Sequence, residues 1–88
     1  MRRAARIDAN QAEVVAALHR CGWQVLSLAP MGRGVPDILA CRANTLRLIE
    51  VKDGSKPPSA RKLTKAQVEW HKSWPVTVIE RIEQVVDL

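Results

Sequence analysis

The sequence predicts a small α/β (α+β) domain: a mixed β-sheet flanked by helices, in the order αβββαβ, with a short final segment that fits a further helix. Three observations predict this fold. The chain has 88 residues, so we expect a single domain, residues 1–88, with a modest core. Two stretches carry apolar residues at helical spacing. Four further stretches are short apolar runs bounded by turn-forming residues, as is typical of strands.

The first helix is expected over residues 9–21. Asp8 and Gln11 have the three-residue spacing of a capping box, in which the first side chain accepts from the backbone and the second reaches back. Gly22 follows the apolar stripe and is the residue best suited to a left-handed C-terminal cap. The preceding residues, 1–7, are rich in arginine, and we expect them to form a flexible basic arm.

Three strands are expected next, over residues 23–28, 35–41 and 46–52. A glycine turn at residues 32–34 permits backbone angles closed to other residues, so it predicts a reversal between the first two strands. Residues 42–45 form a connection whose length suits antiparallel pairing of the second and third strands. Because the second and third runs are almost wholly apolar, we expect central strands buried on both faces.

The last third of the chain predicts a helix, a strand and a short final helix. Thr64 and Gln67 repeat the capping-box spacing, so a second helix is expected to begin there and to run to about Ser73. Residues 76–79 have the composition of a final strand. Residues 82–86 place apolar side chains three and four apart, as in a short amphipathic helix.

The charge of the chain favours a polyanionic partner. Lys and Arg number 14 against 9 Asp and Glu, giving a net charge of +5 and a pI near 9.9. An ordinary solvated basic surface is the alternative interpretation. Residues 53–62 combine glycine, proline and serine with basic residues, so we expect a mobile loop that clamps a substrate. The side chains predicted to contact nucleic acid are Arg33, Lys56, Arg61, Lys62 and Lys65.

Other patterns argue against several classes of protein. Cys21 and Cys41 lack the spacing of a zinc or redox motif, so we expect two reduced, buried thiols. The N-terminus lacks the apolar run of a signal peptide, and no stretch approaches membrane-spanning length; we therefore expect a cytoplasmic protein without a membrane partner. Few bulky aromatic anchors are available to so short a chain, which favours self-association, with a homodimer as the expected form.

Three charged residues on the second and third strands suggest a metal-dependent site. Alternate side chains of a strand share a face, so Asp37 can meet Glu50 and Lys52 if the two strands pair. Two carboxylates and the backbone carbonyl of Val51 suit Mg²⁺ or Mn²⁺ better than zinc. Lys52 would orient a water or offset charge that develops on a phosphate. The alternative is an ordinary ion pair between Glu50 and Lys52, with Asp37 capping a turn.

The segments GVPDILA, LRLIEVKDG and KLTKAQVEWH together resemble the VRR-NUC family of the PD-(D/E)xK nuclease superfamily. The resemblance spans most of the chain and implies a restriction-endonuclease-like fold of phage or bacterial type. It also implies that Asp37 and Glu50 bind Mg²⁺ or Mn²⁺ and that Lys52 is the catalytic lysine. The implied activity is hydrolysis of phosphodiester bonds in DNA, with branched DNA such as a four-way junction as the expected substrate of a homodimer.

Two further residues enter through this resemblance. The family implies an acidic residue on the first helix, and Glu13 occupies that place, as a catalytic residue and metal ligand or as an ordinary exposed glutamate. Gln67 matches a polar site residue of the family and shares an inward-facing stripe with Trp70 and Trp74, but it could equally complete the capping box. Two rival functions stay open: a non-catalytic nucleic-acid-binding module of the same fold, and a small interaction protein in which the charged residues are structural.

Overall fold

A computed structural model of the protein describes residues 10–88 and has the mixed α+β architecture that the sequence predicts. Two α-helices and four strands appear in the predicted order, and three 3₁₀ helices lie between or after them. The elements are α1 (Gln11–Arg20), β1 (Gln24–Ser27), β2 (Ile38–Arg42), β3 (Thr45–Val51), α2 (Lys65–Ser73) and β4 (Val76–Ile79). The 3₁₀ helices are Ala29–Met31, Pro58–Ala60 and the C-terminal Ile82–Asp87.

The four strands form one mixed sheet in the order β1-β2-β3-β4. β2 pairs antiparallel with both β1 and β3, whereas β4 runs parallel to β3 after the chain crosses over through α2. The turn before β2 uses positive φ angles at Gly32 (61°), Arg33 (58°) and Gly34 (82°), as the glycines predict. The β2–β3 hairpin closes through Ala43 and Asn44, both with positive φ, which matches the right-handed twist of the flanking strands.

One face of the sheet, called here the covered face, carries the hydrophobic core. Its side chains pack against α1 and the C-terminal 3₁₀ helix, with Leu18 and Val85 among the contacting residues. Burial of these aliphatic groups supplies most of the stabilisation, at about 25 cal/mol per Å² of apolar surface. The strand residues buried on this face are Ile38, Ala40, Ile49, Val51 and Ile79.

The opposite face, called here the open face, is only partly protected. Leu26 and Leu46 point to this side and are 58% and 61% exposed, while Leu39 and Leu48 between them are half-buried. The prediction that the central strands are buried on both faces is therefore wrong. Its physical reason is that α2 buries none of its own residues and leaves much of this apolar surface uncovered.

Several boundaries differ from the predicted ones. β2 begins at Ile38 and β3 ends at Val51, so Asp37 and Lys52 lie just outside the strands instead of within them. α1 begins at Gln11 with Asn10 at its N-cap, so Gln11 is the first helical residue and not the third residue of a capping box. The other half of that capping box, Asp8, and the predicted basic arm lie outside the described residues.

Of the predictions for the cap of α1, the final helix and the two cysteines, the structure confirms only the first in full. Gly22 follows the C-cap residue of α1, Cys21, and adopts a φ of 87°, as a left-handed cap requires. The final segment is a 3₁₀ helix instead of an α-helix. Cys21 and Cys41 are free thiols but only half-buried, so their predicted full burial is wrong. Between residues 10 and 88, no helix is sufficiently long and apolar to cross a membrane.

The loop that follows β3 contains local structure. The Ser55 hydroxyl and amide both donate to the Asp53 carboxylate, at 2.6 and 3.0 Å, and these bonds hold the pKa of Asp53 below its usual value. The 3₁₀ helix Pro58–Ala60 follows. The mobility expected of the whole loop, residues 53–62, stays a prediction.

The hairpin turn provides a test of the backbone geometry. An L-residue in the left-handed region costs about 1–2 kcal/mol, whereas glycine costs only its extra chain entropy. Ala43→Gly should therefore raise the free energy of unfolding by about 0.5–1 kcal/mol in urea denaturation. The same substitution at exposed Ala16 within α1 should lower it by about 1 kcal/mol. Destabilisation by both substitutions would contradict the turn geometry.

Candidate active site

The site is built where β2 and β3 run side by side at one end of the open face. Ile38 pairs with Ile49 in the antiparallel register, so the next residues outward, Asp37 and Glu50, lie opposite each other on the same face. Asp37 is fixed in this position by its own side chain, because its Oδ2 accepts a hydrogen bond of 2.8 Å from the amide of Val51. The two acidic residues therefore come from adjacent chain segments, as the sequence predicts.

Glu50 is buried, with only 2% of its surface exposed. A buried carboxylate is costly unless charged or hydrogen-bonding partners compensate for the lost water. One such partner is Gln67, whose Nε2 donates to Glu50 Oε2 at 3.0 Å. The helix α2 thus contacts the sheet at Glu50, where a partner is needed to offset the lost hydration of the carboxylate.

Lys52 completes the charged group two residues after Glu50, on the same side of the chain. Its Nζ donates to Gln67 Oε1 at 2.9 Å, so one amide bridges the carboxylate and the ammonium group. The amide can be oriented in only one way: rotated by half a turn, it would present oxygen to the carboxylate and N–H to the ammonium group. Gln67 therefore sets the relative position of the two charged side chains.

The same glutamine is part of the N-terminal cap of α2. Gln67 Oε1 also accepts from the backbone amide of Thr64 at 2.9 Å. In return, the Thr64 hydroxyl accepts from the backbone amide of Gln67 at 3.2 Å. These two bonds form a complete capping box. The two roles left open by the sequence are compatible, because the carbonyl oxygen of Gln67 accepts from Thr64 and from Lys52 at once.

Asn10 is a site-supporting residue that the sequence did not reveal. Its Nδ2 donates to the carbonyl of Lys52 at 2.7 Å and to that of Glu80 at 3.4 Å. The start of α1 is thereby tied to the end of β3, directly beside the charged group. The available signal was an asparagine just before an apolar helical stripe, a common N-cap pattern, but no local pattern shows a bond across 42 residues.

Gly34 is a second unrecognised determinant of the site. A Cβ placed on Gly34 would lie 2.6 Å from both the carbonyl carbon and the oxygen of Ala66, the residue that precedes Gln67. Real Cβ contacts are never so short, so only glycine lets this turn touch the first turn of α2. The glycine turn that leads to Asp37 and the helix that carries Gln67 are consequently packed backbone to backbone.

Glu13 does not join this group. The sheet-facing residues of α1 are Gln11, Val14, Ala17 and Leu18, and Glu13 lies off this stripe, exposed to solvent. Its side chain lines an open cleft of about 350 Å³ that also includes Asp53 and Glu80. The helical period, counted from Val14 and Leu18, places Gln11 and not Glu13 on the inner face. The predicted metal-binding role of Glu13 is therefore not supported by its position.

The predicted nucleic-acid contacts are largely on the surface. The exposed members are Arg33, Lys56, Lys62 and Lys65. Arg61 differs, because its guanidinium forms a salt bridge of 3.0 Å with Glu80, in which both side chains are about one-quarter exposed. Arg61 thus holds the 53–62 loop against the end of β4.

The donor set fits a hard divalent cation. Asp37 and Glu50 supply carboxylate oxygens, and Val51 lies between them with its amide directed at Asp37. The N–H and C=O of one strand residue point to the same neighbouring strand, so the Val51 carbonyl also faces the Asp37 side. Within residues 10–88, no group of three or more His, Cys, Asp or Glu side chains could hold a metal. A cation here would thus need the backbone and water as further ligands, as Mg²⁺ commonly does.

Comparisons with protein-family models, curated proteins and solved structures give no match for this chain. The resemblance to the VRR-NUC family stays a prediction.

The bridging amide can be tested by replacing it with an apolar side chain. Gln67→Leu removes a donor from the buried Glu50 and an acceptor from Lys52, so the free energy of unfolding should fall by about 2–4 kcal/mol in urea denaturation. Gln24→Leu makes the same change at an exposed position and should alter it by less than about 0.5 kcal/mol. Equal effects of the two substitutions would rule out a bridging role.

The backbone contact at Gly34 predicts that replacing this glycine lowers the free energy of unfolding by more than replacing a left-handed glycine without such a contact. Gly34→Ala should cost about 2–4 kcal/mol, because a steric clash adds to the backbone strain. Gly22→Ala introduces a methyl group 3.6 Å from Arg42, an ordinary contact at a φ of 87°, and should cost about 1 kcal/mol. Thermal unfolding of both variants gives the comparison, and a smaller loss for Gly34→Ala would contradict the packing of the turn on α2.

Proposed function

We propose that the protein is a metal-dependent DNA endonuclease that hydrolyses phosphodiester bonds. The observation that carries the proposal is the grouping of Asp37, Glu50 and Lys52 at one end of the sheet, with Gln67 bonded to both Glu50 and Lys52. Two acidic side chains and an oriented ammonium group on the open face of the sheet are suited to a phosphate substrate. A purely structural ion pair would need neither Asp37 nor the bridging amide.

Mg²⁺ or Mn²⁺ is the proposed cofactor, held by the carboxylates of Asp37 and Glu50 and by the carbonyl of Val51. Bound there, such a cation supplies Lewis-acid polarisation of the scissile phosphate and makes a nearby water more acidic. The chain contributes the geometry: the Val51 amide holds one oxygen of Asp37, and the Gln67 amide holds one oxygen of Glu50. Each acid is thereby oriented before a cation or substrate arrives.

Lys52 is the proposed catalytic residue that stabilises negative charge in the transition state. Its ammonium group is directed by the Gln67 carbonyl, which leaves further N–H donors for a water or a phosphate oxygen. From this position Lys52 can orient the attacking water or offset the negative charge that develops on the phosphate in the transition state. Gln67 acts through Glu50 and Lys52 and is in this sense a positioning residue.

The proposed substrate is DNA, and the proposed working form is a homodimer. The net charge of +5 and the exposed lysines of the 53–62 loop favour a polyanion. One site per chain requires two chains to cut two strands, and two-fold symmetry would suit a branched substrate such as a four-way junction. Leu26 and Leu46, exposed on the open face, give a second copy an apolar surface to contact.

A non-catalytic nucleic-acid-binding module is the second candidate. The exposed basic side chains at Lys56, Lys62 and Lys65 favour it, because they would bind phosphates whether or not the site cleaves DNA. Salt-sensitive binding without Mg²⁺- or Mn²⁺-dependent nicking of duplex, flap or junction DNA would select this candidate over the enzyme.

The enzyme proposal predicts separable effects on cleavage and on binding. Asp37→Asn keeps an acceptor for the Val51 amide but removes a charge from the cation site, so cleavage in Mg²⁺ should fall at least about 100-fold with DNA affinity retained. Glu69→Gln, on the exposed side of α2, is the control and should cleave normally. Initial rates on labelled junction and linear substrates provide the measurement; undiminished cleavage by Asp37→Asn would remove the proposed site.

A further inference from the structure

The tryptophans at the end of α2 form a stacked pair that the core does not use. The rings of Trp70 and Trp74 lie 4.8 Å apart between centroids, with 25° between their planes. The sequence pattern places both in an inward-facing stripe with Gln67, but Trp74 is 50% exposed, so its predicted burial is wrong. Large aromatic side chains are rarely left in water without a partner, which makes this pair a candidate binding surface.

The pair lies on the same side of α2 as the site. Trp70 and Trp74 follow Gln67 by three and by seven residues, which places them along one helical stripe. With a rise of 1.5 Å per residue, seven residues correspond to roughly 10 Å from the bridging amide. This distance is a few nucleotide steps of a DNA strand, so a strand bound at Glu50 and Lys52 can also reach Trp74.

The segment that leads to the pair carries an excess of positive charge, which suits a nucleic-acid strand. Residues 53–74 contain five Lys or Arg and two Asp or Glu, an excess of three positive charges. Arg61 and Lys72 are engaged with Glu80 and Glu69, respectively, so the remaining charge comes from the exposed lysines that form no salt bridge within residues 10–88. They are Lys56, Lys62 and Lys65. These lysines lie in the loop before α2 and in its first turn. A basic surface that tracks the backbone, together with an exposed aromatic ring on which a base stacks, is the combination that holds single strands in other proteins.

We propose that Trp74 stacks on an unpaired base of the DNA substrate, a few nucleotides from the bond that is cut. Trp70 supports the indole ring from one side and thereby keeps it in the orientation that a base requires. An uninterrupted duplex has its bases stacked internally and offers no free ring, so the preferred substrate carries unpaired bases, as in a flap, a gap or a single-stranded end. This inference rests on the proposed function and narrows its substrate class from branched DNA in general, including a fully paired four-way junction, to DNA that carries unpaired bases.

Binding in the absence of metal tests the inference without requiring cleavage. The full-length protein is titrated in EDTA with a 15-nucleotide oligothymidylate and with a hairpin duplex of the same charge, and tryptophan fluorescence is followed. Trp23 is 3% exposed and provides a constant background. The single strand should quench the fluorescence, and Trp74→Leu should weaken its binding by roughly 5-fold or more, as expected for loss of one stacked base. Affinity for the duplex should change less than about 2-fold.

Two further variants complete the test. Trp74→Phe retains an aromatic face and should recover most of the single-strand affinity, whereas Val86→Ala, at a 73% exposed apolar position on the C-terminal 3₁₀ helix, should leave it unchanged. Equal weakening of single-strand and duplex binding by Trp74→Leu, or no weakening at all, would overturn the inference. So would a shift from dimer to monomer in sedimentation of Trp74→Leu, because Trp74 would then contact a second copy.

The outcome is independent of whether the site cleaves DNA. If the wild-type protein shows no Mg²⁺- or Mn²⁺-dependent cleavage but Trp74→Leu loses affinity for the single strand, the stacking inference stands and the nuclease proposal fails. If cleavage occurs and the affinity of Trp74→Leu is unchanged, the nuclease proposal stands and the stacking inference fails.

Discussion

The site depends on one side-chain amide that is held between a buried carboxylate and an ammonium group. Glu50 is almost completely removed from solvent, and the loss of hydration would cost several kcal/mol, roughly, without compensation. Gln67 donates to Glu50, accepts from Lys52 and at the same time caps α2 through Thr64. The start of the helix and the arrangement of the charges are therefore coupled, because neither can move without loss of bonds in the other.

The surrounding fold maintains this coupling from three directions. The Gly34 turn touches the backbone of Ala66, the Val51 amide holds Asp37, and Asn10 fastens the start of α1 to the carbonyl of Lys52. The covered face of the sheet supplies the apolar stability, while the open face carries the charged group at one end. This division separates the apolar core, on one face of the sheet, from the charged group on the other.

Much of this arrangement could be predicted from the sequence, because it depends on local periodicity. The two-residue alternation of β3 places Glu50 and Lys52 together, and the Thr64–Gln67 spacing defines the start of α2. The exposure of the open face could not be predicted, because it depends on where α2 packs against the sheet. Glu13 entered the predicted site through the family resemblance alone, whereas the helical period counted from Val14 and Leu18 directs Gln11 inward and Glu13 toward solvent. The Gly34–Ala66 and Asn10–Lys52 contacts join distant segments and have no local pattern.

The proposed nuclease activity requires that Asp37 and Glu50 share one hard cation. The most direct measurement is anomalous diffraction from crystals grown with Mn²⁺, because it locates the ion without reference to activity. We expect a single strong peak within roughly 2.3 Å of carboxylate oxygens from both residues, close to the Val51 carbonyl. A peak confined to the cleft lined by Glu13, Asp53 and Glu80, or no ordered Mn²⁺ at all, would contradict it.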